Sequence, residues 1–154
     1  MQRNADGAYV VSLVIPAEAR WLALCRLVLS GLCQLGPVDE ETLADLKLAV
    51  TEACSNSVRH AYAGNGGGGE VEVRYELGAD WFVVEVADAG RGFRFDRPVP
   101  DLGPQPDEEL REDEMGLAII HALVDEVEVG AGPGGVGTRI RLRKALVFDS
   151  SGAG

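Results

Sequence analysis

The chain is poor in positive charge. Only 14 lysines and arginines stand against 25 aspartates and glutamates, a formal net charge of −11. Binding to a nucleic-acid backbone depends on neutralisation by Lys and Arg, so nucleic acid is excluded as a principal partner, and an anionic membrane surface with it. Lysine is nearly absent: Lys47 and Lys144 are the only two. Histidine is as scarce, with His60 and His121, and Cys25, Cys33 and Cys54 lie far apart within apolar helical patterns. Without a Cys/His cluster there is no basis for a zinc centre, and the cysteines are expected as buried free thiols. No apolar run approaches the ~20 residues that span a bilayer, and the opening MQRNADGAYV has no signal-peptide core. A cytoplasmic protein is the expectation.

What is present suits one globular domain over residues 1–154, with 46% hydrophobic and 25% charged residues. Residues 9–15, YVVSLVI, read as a strand, and Pro16 as a helix start. Residues 17–35 carry Trp21, Leu24, Leu27, Val28, Leu32 and Leu35 at helical spacing, stopped by Gly36-Pro37. Asp39 is a candidate N-cap for the next helix, with Glu40 and Glu41 suited to its first turn. That helix, centred on residues 43–62, places Leu43, Leu46, Val50, Ala53, Cys54, Ser57 and Ala61 on one face, and Glu52, Asn56 and Arg59 on the other. After the glycines at 66–69, residues 70–77 alternate with period two and 81–87 form a more continuous apolar run, which together suggest an antiparallel hairpin. Prolines and acidic residues then break the periodicity over a long loop at about 94–115, with a return suggested at 107–111. Helical spacing returns at 115–124, two closing strands follow at 126–129 and 137–146, and residues 150–154 are expected to fray. This order predicts an α+β fold: a two-layer α/β sandwich with a mixed, mostly antiparallel sheet and helices on one face.

Three separated pieces have complementary chemistry. Glu52 and Asn56 stand one helical turn apart. Alone, such a pair is commonly just a solvated polar face. The second piece is Asp88-x-Gly90-x-Gly92 at a strand end, and the third is Gly116 opening a helix, with Gly137-Thr138 starting the last strand. Asp88 can accept the exocyclic amine of adenine, and Gly90 and Gly92 allow the backbone to approach a flat base. Free amides at the start of the 116–124 helix suit phosphate. Asn56 offers a hard oxygen for Mg²⁺, Glu52 a carboxylate that orients or deprotonates an attacking group, and Thr138 a hydroxyl for the base, directly or through water.

In that order and spacing the pieces resemble the GHKL (Bergerat-fold) ATPases, most nearly the small bacterial anti-sigma-factor serine kinases of the RsbW type. TEACSNSVRHAY is similar to the N-box, VADAGRGF to the G1 box, EMGLAIIHALVDEVEV to the G2 box and the strand after it, and GVGTRIRL to the last conserved strand. The likeness runs over about residues 43–142. It implies a protein that binds ATP with Mg²⁺ and phosphorylates a serine on an anti-sigma-factor antagonist. It also implies sequestration of a sigma factor in a nucleotide-dependent way, and a homodimer. Under it, Glu52 is the general base and Asn56 the Mg²⁺ ligand. Asp88 reads adenine, Gly90 and Gly92 shape the base pocket, Gly116 is the retained lid glycine, and Thr138 stands on the adenine side. The phosphate-facing charge is left open among Arg91, Arg94, Arg97 and Arg111. Where the family has Gly-x-Gly at the end of the lid, this chain has Glu114 within Glu112-Asp113-Glu114. Carboxylates repel a triphosphate, so either this run is held away or nucleotide binding is weaker. Two other functions compete: a nucleotide-gated binding module without kinase activity, and the catalytic domain of a sensor histidine kinase, for which no phospho-acceptor helix is visible.

Overall fold

The computed structural model describes residues 2–36, 38–65, 69–88, 107–132, 135 and 137–146, with the backbone alone at 60–65 and 107–114. The strands are β1 (Gln2–Arg3), β2 (Tyr9–Pro16), β3 (Glu70–Leu77), β4 (Trp81–Asp88), β5 (Glu126–Ala131) and β6 (Thr138–Ala145). The helices are α1 (Leu22–Cys33), α2 (Glu40–Asn65) and α3 (Asp107–Leu123), with a 3-10 turn at Ala19–Trp21 before α1. One sheet holds all six strands in the order β1-β2-β3-β4-β6-β5. Every pairing among the described strands is antiparallel, so the mixed sheet expected from the sequence is corrected on that point. The short β1, which carries no apolar alternation, is an addition.

Alternation decides which side of each strand is covered. Val71, Val73, Tyr75 and Leu77 of β3, Phe82, Val84 and Val86 of β4, and Ile140 and Leu142 of β6 are all buried. They pack with Leu29, Leu46, Val50, Ala53 and Ile120 of the helices into one core. The other face of β6 carries Arg139, Arg141 and Arg143, paired with Glu85, Glu128 and Glu126 at 3.5, 3.9 and 3.4 Å. Such exposed pairs add little stability, but they occupy those arginines on the face away from the helices. Arg143 also lies over the Trp81 ring, 3.8 Å from its centroid.

The N-terminus of α2 is capped as its sequence predicts: the Thr42 amide donates to Asp39 Oδ1 at 2.7 Å. Helix α3 differs from expectation. It begins at Asp107, not near Gly116. An acidic opening, Asp107-Glu108-Glu109, suits the positive end of the helix dipole, and that signal outweighs the missing apolar period. The rest of the expected loop, residues 94–106, and the tail at 150–154 lie outside the described residues.

Candidate functional site

Helix α2 is the middle helix of the layer, flanked by α1 and α3. Its direction over the sheet is fixed by Lys144, whose Nζ reaches Asp45 Oδ2 at 3.5 Å and donates to the Leu123 carbonyl at 2.7 Å. Asp45, Leu123 and the end of β6 therefore share one level. Seven residues further along α2, and seven back along α3, Glu52 meets Gly116: a Cβ built on Gly116 would lie 3.2 Å from Glu52 Oε2. The two helices run antiparallel in this register. Gly116 thus sits inside α3, against the carboxylate, and does not open a helix; the expected free amides at its N–H are corrected accordingly. Its missing side chain makes the room that Glu52 occupies. Continued, the same register brings the backbone of 112–114 to the level of residues 54–56, so the acidic run's backbone is not held away from this end.

Asn56 is not the solvated position that its polar helix face suggested. Only 8% of it is exposed. Its Oδ1 accepts a hydrogen bond from Arg59 Nη2 at 3.3 Å. The oxygen that the resemblance gives to Mg²⁺ is thus already engaged by a guanidinium.

Asp88 and Thr138 come together across the sheet. The β4–β6 register pairs Ala87 with Arg139, and one step further sets Asp88 opposite Thr138. Both point to the helix layer by alternation, and both are buried, Asp88 at 0% and Thr138 at 4% exposed. Thr138 Oγ1 has no hydrogen-bond partner among the described residues. A buried hydroxyl without a partner costs free energy unless something else satisfies it. A carboxylate acceptor beside an available hydroxyl fits the edge of an aminopurine. Gly90 and Gly92 lie outside the described residues, as do Arg91, Arg94 and Arg97; the side chains of His60 and Arg111 are likewise not described.

Ser57 is the residue that sequence reasoning passed over. It was placed on the apolar face of α2 and it is indeed buried, at 1% exposed. Yet its Oγ, like that of Thr138, lacks a partner among the described residues. The available signal was a hydroxyl in the middle of a stripe otherwise made of Leu46, Val50 and Ala53.

All three cysteines are free and buried. Cys25 and Cys54 share a hydrogen bond between α1 and α2, which lowers the Cys25 thiol and, with burial, holds Cys54 well up. Burial pushes Cys33 up to about 11. No group of three or more His, Cys, Asp or Glu side chains able to hold a metal occurs among the described residues, and no described helix is long and apolar enough to cross a membrane.

Comparison with known proteins identifies the family. The profile of the histidine kinase-like ATPase domain matches residues 15–144. A serine-protein kinase RsbW from Bacillus pumilus is 42% identical over 81% of this chain and 80% of its own length. The RsbW of Bacillus subtilis is 38% identical over 84% and 81%, and that of Staphylococcus aureus 34% over 87% and 85%. The crystal structure of the RsbU and RsbW domains of a Mycobacterium tuberculosis protein superposes with a TM-score of 0.60 at 24% identity, covering 90% of this chain. This chain spans about a third of that longer one (32%), and the likeness concerns the fold. With the polar ridge of α2, the Asp88–Thr138 pair and these matches in agreement, the chain belongs to the histidine kinase-like ATPase family, among relatives of RsbW.

Proposed function

We propose that the protein is an ATP-dependent serine kinase of an anti-sigma-factor antagonist, which also sequesters a sigma factor and works as a homodimer in the cytoplasm. What supports this reading is the burial of Asp88 and Thr138 opposite each other across β4 and β6, the buried Asn56 one turn beyond Glu52 on α2, and the RsbW relatives. Asp88 accepts the exocyclic amine of adenine while the Thr138 hydroxyl satisfies the base edge. Gly90 and Gly92 admit the base. Asn56 Oδ1 is the atom that would hold Mg²⁺, which when bound supplies shielding of the phosphate charge. Arg59, which donates to that oxygen at 3.3 Å, would have to share or release it to a divalent cation held there. Glu52 takes the proton from the incoming serine hydroxyl as its oxygen bonds to the γ-phosphorus and the bond to ADP breaks.

The test is transfer of labelled γ-phosphate from Mg²⁺-ATP to a small antagonist protein. Phosphoserine on the partner supports the reading. Partner capture in the presence of ATP with no phosphoserine would instead favour a nucleotide-gated binding module, and acid-labile phosphohistidine a histidine kinase. ATP binding is tested separately by melting: ligand at 100 times its Kd adds about 2.7 kcal/mol of stability, and Asp88→Asn is expected to erase that gain.

A further inference from the structure

We propose that the Ser57 hydroxyl is a further base-reading group, which donates to a ring nitrogen of adenine, directly or through one water. This rests on the nucleotide site proposed above and adds a residue to it. Two side-chain hydroxyl oxygens, Ser57 Oγ and Thr138 Oγ1, are buried without a hydrogen-bond partner among the described residues. They belong to different layers, one to α2 and one to β6, yet the packing brings them to the same end. The Lys144–Asp45 ion pair sets the starting level. From Asp45 to Ser57 is twelve residues of helix, about 18 Å at 1.5 Å per residue. From Lys144 back to Thr138 is six residues of strand, roughly 20 Å at 3.3 Å per residue. Both paths run the same way along the sandwich, so Ser57 arrives level with Thr138 and, across the β4–β6 register, with Asp88.

Ser57 also points the right way. Counted around the helix it lies in line with Leu46, Val50 and Ala53, all in the core cluster that meets the sheet. Its hydroxyl is therefore on the sheet side of α2, where Asp88 and Thr138 face the helices. The chemistry completes a set. An ionised carboxylate only accepts hydrogen bonds, whereas the ring nitrogens of adenine need donors. Asp88 can serve the amine and nothing else on the base; the hydroxyls are the groups that can serve the ring.

The experiment uses Ser57→Ala in the full chain, with melting and equilibrium binding of Mg²⁺-ATP and of purine riboside triphosphate, which keeps the ring nitrogens and lacks the amine. Alanine suits a helix interior and removes a buried oxygen that has no partner, so the nucleotide-free variant is expected to melt at or above the wild-type temperature. Its affinity for ATP is expected to fall about five- to tenfold, the size of one lost hydrogen bond. The same factor is expected with the purine analogue, whereas the effect of Asp88→Asn disappears with it. Wild-type ATP affinity in Ser57→Ala would overturn the inference. So would a lower melting temperature with an unchanged ATP response, which marks the hydroxyl as structural. Wild-type protein that fails to bind ATP at all would overturn the site itself, and this residue with it.

Discussion

The two ends of α2 are built from similar parts and handle polar groups in opposite ways. At the Asp45 end the polar groups found among the described residues are paired: Lys144 joins Asp45 and the Leu123 carbonyl, and on the surface Asp39 holds the Thr42 amide. At the Ser57 end, two hydroxyls are buried with no partner among the described residues, and a buried carboxylate, Asp88, stands beside them. Between them the core is continuous. Folding alone accounts for the first end. The second carries a cost, since each unsatisfied buried polar group destabilises by about 1–3 kcal/mol. Such a cost placed at one end, next to Glu52 and Asn56, is the physical sign of a site whose last partners arrive with a ligand.

The largest expected effect breaks chemistry away from binding at the second end. Glu52→Ala should lower the rate of phosphate transfer by about a hundredfold or more, the usual range for loss of a general base. It should leave the ATP-induced rise in melting temperature in place, because the proposed reading of the base lies with Asp88 and Thr138. Transfer at the wild-type rate would remove Glu52 from the mechanism. The opposite separation is expected at the first end. Lys144→Met keeps the length of the side chain and removes its charge, leaving the part-buried Asp45 without its cation. A loss of about 2 kcal/mol is expected from a charge-assisted contact of this kind, read by denaturant melting, with an unchanged affinity for ATP. If nucleotide affinity fell with stability, the two ends would not be independent.

Gly116→Ala tests the boundary between the ends. Alanine is favoured over glycine inside a helix by about 1 kcal/mol, so α3 should gain stability. The new methyl would sit 3.2 Å from Glu52 Oε2, tighter than ordinary contact, and the carboxylate must move by a few tenths of an ångström. Catalysis is sensitive to displacements of that order. A variant that is more stable and several-fold slower in transfer is expected; one that is more stable and equally fast would mean that the carboxylate position in the free protein does not matter.

What was legible in the sequence follows from this contrast. The capped start of α2, its apolar stripe, the alternation of β3 and the seven-position candidate constellation can be read because each is a local signal: a period, a cap, a strand-end turn. The burial of Asn56 was not readable, because a helical wheel shows the faces of one helix and not what packs over them. Gly116 was misread as a helix start because α3 begins with acidic residues that carry no apolar period. Ser57 was counted as core for the same reason that makes it informative: a small residue in an apolar stripe looks like packing until its oxygen is found without a partner. In each case the missing knowledge was tertiary. Which segments meet was not readable, although what each segment would bring was.

The smallest predicted effect lies at the first end and is read by pH. The bonds from Thr42 hold the Asp39 carboxyl below its ordinary range. A carboxyl lowered in the folded state stabilises it above the unfolded pKa, near 4, and that contribution is lost as pH falls through the folded value. The difference in melting temperature between wild type and Asp39→Ala should therefore be constant around neutrality and shrink as pH drops below about 4. Asp39→Asn keeps an acceptor for the Thr42 amide without the charge, and should lie between the two at neutral pH. None of the three proteins should differ in the melting shift that ATP produces, because the cap is at the opposite end of α2 from Ser57, Asp88 and Thr138. A shift that follows the cap variant would mean that strain at one end of α2 is transmitted along it to the other, and that the division between a structural end and a ligand end is not a property of this fold.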